Sequence, residues 1–192
     1  MLIDSLSSTI FSRAMPMMGD ARDPLFRWET LKELGPETLP YRIPVFGTRC
    51  EIEVLSGERI LVWRSDDGQQ FFCHGLTFGG DLALGGAISP FSGAPVEAIL
   101  RGHFDLVPNE EEAEPGDILV WRGQPGSPEG TTPHSAILLA VGWTRGRNQF
   151  DGRATLLRTK NGLFPEAILT LDELFVLYGE TYDIYRRRPP SA

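Results

Sequence analysis

A chain of 192 residues that is 41% hydrophobic and 23% charged can bury a sizeable core and does not have the composition of a disordered segment. Its net charge of −8 argues against nucleic acid and anionic membrane surfaces, since both need a basic face. Two cysteines, Cys50 and Cys73, do not make a disulfide framework at this length, and no apolar run of about 18 residues suits a membrane span.

The first stretch, MLIDSLSSTIFSRAMPMMGD, is a poor signal peptide. Asp4 stands where positive charge belongs, and serines and Arg13 interrupt the apolar run. The expected location is therefore cytoplasmic, with export by a signal-independent route as the other possibility. Residues 1–22 read as a loose arm, residues 23–188 as a single domain, and residues 189–192 as a disordered tail.

Asp23-Pro24 is a helix start, with Asp as N-cap and Pro at the first helical position. Leu25, Trp28, Leu31 and Leu34 keep a helical stripe and Gly35-Pro36 stops it, so the pattern predicts a helix over 24–34. CEIEVL (50–55) alternates, Ser56-Gly57 is a turn, and RILVW (59–63) returns, which predicts a hairpin. A second turn at 65–68 leads into QQFFC. After Cys73, HGLTFGGDLALGG predicts a helix over 74–84, weakened by its glycines.

SPFSGAP (89–95) reads as a loop, VEAILRG as a short helix and HFDLVP as a short strand. NEEEAEPGD reads as a solvated acidic turn. DILVW (117–121) and HSAILLAVGW (134–143) are buried strands separated by a long Gly/Pro loop. RATLLRTK is a third strand, paired to the second through the turn at 145–152. Thr170 and Glu173 form a capping box for a helix over 171–178, ended by Gly179. TYDIYRRR is a final strand. The order gives an α+β class, with helices near the start packed on a mainly antiparallel sheet.

Three of these segments carry chemistry. A thiol attacks as thiolate, and a helix start and a nearby imidazolium both favour the anion. Cys73 at a strand-to-helix junction is thus the candidate nucleophile. His134 opens a buried strand just after a loop and is the candidate base. If 134–143 and 153–161 pair antiparallel, Asn161 lies at the same edge and can fix the imidazole tautomer. Thr159, two residues back on the same face, is the alternative third member.

An upstream amide side chain, Gln70 or Gln69, together with the Cys73 N–H, is the candidate oxyanion site. His74 reads as a wall of the cleft or a local structural residue. Trp121, just before the long loop, reads as core or as the lining of a substrate groove. His103 reads as a surface or half-buried residue. The histidines and cysteines show no metal-ligand spacing, and no cofactor is called for.

HSAILLAVGW followed by RTKNG resembles the histidine strand and the lysine–asparagine–glycine strand of papain-like cysteine peptidases. EPGDILVW (114–121) resembles the Pro-Gly-Asp strand start of the compact NlpC-like and CHAP-like branches. The order Cys, His, polar residue also matches, and the likeness spans 69–164. The papain signature around the nucleophile is absent, with Cys73-His74-Gly75-Leu76 in its place. His134 follows Cys73 by only 61 residues, against about 130 in papain-like enzymes, which points to the compact branch.

The resemblance implies a minimal papain-like core and hydrolysis of an amide through Cys73, His134 and Asn161. The implied partner is a peptide or peptidoglycan-like substrate. A deamidase or acyltransferase uses the same residues, and a non-catalytic binding module on the same fold is the rival from another class.

Overall fold

The structure, a computed structural model, describes residues 29–39, 45–65, 72–78, 88–89, 93–123, 131–146, 148–162 and 164–189. The arm at 1–22, the helix start at 23–28, the turn at 66–68, Gln69, Gln70 and the tail at 190–192 lie outside them.

The predicted hairpin forms. Strand β2 (Val45–Glu53) and strand β3 (Arg59–Ser65) pair antiparallel, with Ile52, Ile60 and Val62 turned into the core. Gly57 makes the turn possible: its φ of 81° is costly for any residue with a Cβ. Its N–H reaches Val54 O at 2.8 Å.

The predicted helix over 24–34 is not found in its described part. Residues from Glu29 onward form strand β1 (Glu29–Leu39), antiparallel to β2. The register shifts between Thr30 and Lys32 and again between Glu33 and Gly35. An apolar residue every third position suits a helix only if the stripe is buried, and Leu34 is exposed. The open hydrogen-bonding edge of β2 is a non-local partner that overrides such local preference. A short strand β4 (Ile88–Ser89) completes a four-stranded sheet in the order β1-β2-β3-β4.

Helix α1 (Cys73–Phe78) begins at the cysteine, as the junction predicts, and is described only to Phe78. Helix α2 (Gly93–His103) begins within the segment expected to be loop. Pro95 is tolerated there because the first helical turn needs no N–H donors.

The remaining strands are β5 (Phe104–Val107), β6 (Ile118–Trp121), β7 (His134–Ala140), β8 (Leu156–Thr159), β9 (Ala167–Thr170) and β10 (Tyr182–Arg187). They form a second sheet, β5-β10-β6-β7-β8-β9, antiparallel throughout. Helix α3 (Leu171–Tyr178) carries the expected capping box: Thr170 Oγ1 accepts the Glu173 N–H, and Glu173 accepts the Thr170 N–H. The chain is α+β with antiparallel sheets.

Strand β6 is buried on both faces, which explains its unbroken apolar run. Ile118 and Val120 face a core shared with Ile52, Val62, Ile99 of α2 and Phe78 of α1, so both sheets close on one cluster. Leu119 and Trp121 face a second cluster with Leu138, Leu157 and the α3 residues Leu171 and Leu174.

The acidic segment after β5 is exposed at Glu111, Glu112 and Glu114, as expected of a solvated turn, while Glu110 and Asp117 turn inward. Glu110 accepts the Phe150 N–H and the Tyr182 hydroxyl. Asp117 is buried and takes a two-pronged contact from Arg186, at 2.9 and 2.8 Å. His103 is likewise buried, and its Nε2 lies 3.3 Å from Leu55 N, tying the hairpin turn to the end of α2. Among the described residues, no helix is long and apolar enough to cross a membrane.

Candidate active site

Cys73 is the first residue of α1. The first turn closes through Leu76 N to Phe72 O at 2.9 Å, and Thr77 Oγ1 donates to Cys73 O at 2.9 Å. The side chain is 7% exposed. Burial pushes the thiol pKa up, while the backbone N–H groups of Ser135, His74 and Cys73 itself pull it down. Burial prevails, so the resting thiol is neutral. The helix start predicted for thiolate formation is present, but it does not offset the desolvation of the buried sulfur.

His134 opens β7 opposite Trp121 of β6. It is 1% exposed, and its Nε2 lies 2.6 Å from Thr159 Oγ1 on β8. The imidazole stacks flat on Tyr178 at the end of α3, with ring centres 3.9 Å apart and planes 3° apart. Trp121 packs at a tilt, 5.4 Å away. Burial first, and the disfavoured pairing of its charged form with a charged His74 second, lower the His134 pKa to about 3. Among the described residues, no hydrogen bond joins the Cys73 sulfur to His134.

Of the two candidates for the third position, Thr159 is the one whose side chain touches His134. Continuing the β7–β8 register from Ile137↔Arg158 and Leu138↔Leu157 would set His134 opposite Asn161. The ladder ends at Thr159, however, and the chain turns there. Gly162 has φ 58°, and Phe164 N bonds back to Asn161 O at 3.1 Å. The Asn161 Oδ1 instead accepts the Tyr178 hydroxyl at 2.9 Å. Asn161 therefore meets the imidazole through the ring stacked on it.

His74 is buried, and both ring nitrogens are engaged, Nε2 with Thr132 O at 2.8 Å and Nδ1 with Ser135 Oγ at 2.9 Å. It is a fixed internal group, not an exposed cleft wall. Trp121 is corrected too: it is fully buried, and its Nε1 donates to Gly179 O at 2.8 Å. It supports His134 from within the core and offers no face to a substrate groove.

Tyr178, Ser135 and Thr77 were missed by the sequence reading. Strand alternation next to His134 is a signal for Ser135, which must point to the opposite face, toward α1. Nothing local marks Tyr178, because its role depends on how α3 docks.

Beside Tyr178 lies a groove of about 370 Å³, lined by Gly123, Thr131, Pro133 and the turn Phe175–Gly179. No charged side chain is among these lining residues. Val176 and Leu177 are exposed at its rim. The described histidines, cysteines and carboxylates contain no group of three placed to hold a metal.

The arrangement thus brings a thiol, an imidazole and a hydroxyl to one end of β7, beside a groove whose described lining residues are uncharged. Comparison with protein-family models, with curated proteins and with solved structures gives no match to this chain.

Proposed function

We propose that the protein is a thiol-dependent hydrolase of an amide bond, built on a compact papain-like core of the NlpC-like or CHAP-like kind. The observation that carries this reading is the buried Thr159–His134 hydrogen bond, at the end of the strand against which the Cys73 helix packs. With Nε2 held by Thr159, Nδ1 is the nitrogen that takes the thiol proton. The sulfur attacks the carbonyl carbon, the C–N bond breaks, and the proton passes to the leaving amine. Water then hydrolyses the thioester, yielding the carboxylic acid and the free thiol. A deamidase releases ammonia by the same steps, and an acyltransferase replaces water with another nucleophile.

The substrate is a peptide or peptidoglycan-like peptide whose side chain facing the groove is uncharged, in keeping with the lining around Tyr178. Digestion of purified peptidoglycan and of a peptide panel tests this. Cys73→Ser is expected to abolish turnover, and His134→Ala to lower it by a factor of about 10³ or more. No cleavage of either substrate class by the wild-type protein overturns the reading.

A second reading is favoured by the burial of both groups and by their neutral resting forms: a binding module on the same fold, with an ordinary thiol. Iodoacetamide at pH 6 separates the two. Alkylation of Cys73 no faster than a free thiol, unaffected by His134→Ala, supports the binding module.

A further inference from the structure

His74 touches the chain on both sides of His134. Its Nε2 contacts the carbonyl of Thr132, two residues before, and its Nδ1 contacts the hydroxyl of Ser135, one residue after. His74 is itself the neighbour of Cys73. We propose that His74 is a positioning residue, which staples the nucleophile's helix to the segment carrying the base and so sets the placement of Cys73 against His134. The proposal rests on the hydrolase reading above.

The chemistry of the contacts fixes the tautomer. A carbonyl oxygen only accepts, so Nε2 carries the proton toward Thr132. Burial keeps His74 neutral, its pKa lowered to about 4. A neutral ring has one N–H, so Nδ1 is bare and accepts from Ser135 Oγ. With its proton directed at Nδ1, Ser135 Oγ accepts from Thr77 Oγ1 at 2.9 Å, and the one Thr77 hydroxyl proton is shared between Ser135 Oγ and the carbonyl of Cys73, also at 2.9 Å. The chain of contacts thus returns to the nucleophile's own peptide unit. Ser135 serves both ends, because its backbone N–H favours the Cys73 anion while its hydroxyl holds the His74 ring. Phe78, stacked at 5.9 Å, closes one face of that ring.

The test is the pH profile of Cys73 alkylation by iodoacetamide, resolved from Cys50, the other free thiol, by peptide mapping. Ser135→Ala removes the hydroxyl and keeps the backbone N–H. It is expected to slow alkylation at pH 7 about tenfold and to move the midpoint of the profile up by about one unit. His74→Leu is expected to do the same or more. His74→Gln, whose amide N–H can reach the Thr132 carbonyl, is expected to recover part of the rate. Long-range ¹⁵N–¹H NMR of the wild-type protein is expected to show His74 protonated on Nε2. A wild-type profile in folded Ser135→Ala and His74→Gln, or protonation on Nδ1, overturns the proposal. If wild-type Cys73 reacts as an ordinary thiol and ignores His134→Ala, the staple and the hydrolase reading fall together. An activated wild-type thiol that ignores Ser135→Ala sinks the staple alone.

Discussion

The Thr159 hydroxyl lies 2.6 Å from Nε2 of His134, and both side chains are closed off from water. A buried imidazole nitrogen without a partner costs about 1–3 kcal/mol, and a freely turning ring is a poor base. Thr159→Val keeps the shape and removes the hydroxyl. It is expected to destabilise the fold by about 2 kcal/mol and to lower Cys73-dependent turnover about tenfold or more. Asn161→Ala, which removes the Oδ1 that accepts the Tyr178 hydroxyl, is expected to cost about 1 kcal/mol, with a smaller loss of turnover. Equal losses in both variants, read by urea denaturation and initial rates, would reverse these roles.

Acid is expected to unfold the protein through its three histidines. Burial is the first cause in each case, and it lowers His74 and His103 to about 4 and His134 to about 3. The unfolded value is about 6.5, so below that pH the unfolded chain takes up protons the native state refuses. Stability is therefore full above pH 6.5. It is lost as pH falls toward 4 for His74 and His103, and toward 3 for His134. The slope approaches about 1.4 kcal/mol per pH unit for each histidine. Urea midpoints at pH 7, 6 and 5 check this, and a flat profile refutes it.

Asp117 accepts from Arg186 on both oxygens and from the Glu114 N–H at 2.8 Å, with a side chain only 4% exposed. Arg186 is 40% exposed, so the pair sits at the low end of the range for buried ion pairs. Asp117→Asn is expected to cost about 2 kcal/mol, a fall in Tm of roughly 4–8 °C. A shift below about 1 °C in calorimetry counts against it.

The capping box at Thr170 and Glu173 anchors the helix that brings Tyr178 to His134. Thr170→Ala is expected to cost about 1 kcal/mol, while Thr170→Ser, which keeps the hydroxyl, stays near wild type. Equal stability of the two variants in urea would show that the cap contributes nothing.

Much of this architecture was legible where a local pattern carries its own cause. The hairpin 50–63 announced itself by alternation and Ser56-Gly57, β6 by an apolar run that both of its faces require, and α3 by its cap. Strand β1 was illegible because its partner is the edge of β2, which the spacing of Leu25, Trp28, Leu31 and Leu34 does not encode. The site divided in the same way. Cys73 and His134 could be found from their positions at element starts. The choice between Thr159 and Asn161 turned on where β8 stops, and Tyr178 on the docking of a distant helix. Trp121 misled because its nearness to a loop in sequence says nothing about which face of β6 it takes.

The place of β10 between β5 and β6 has a consequence for biosynthesis. Cys73, His134 and Thr159 all emerge from the ribosome before residues 182–187. Until those residues arrive, β5 has no neighbour to join it to β6, and the six-stranded sheet stays divided. A chain interrupted before Tyr182 would carry every candidate chemical group and still lack the strand that joins β5 to β6.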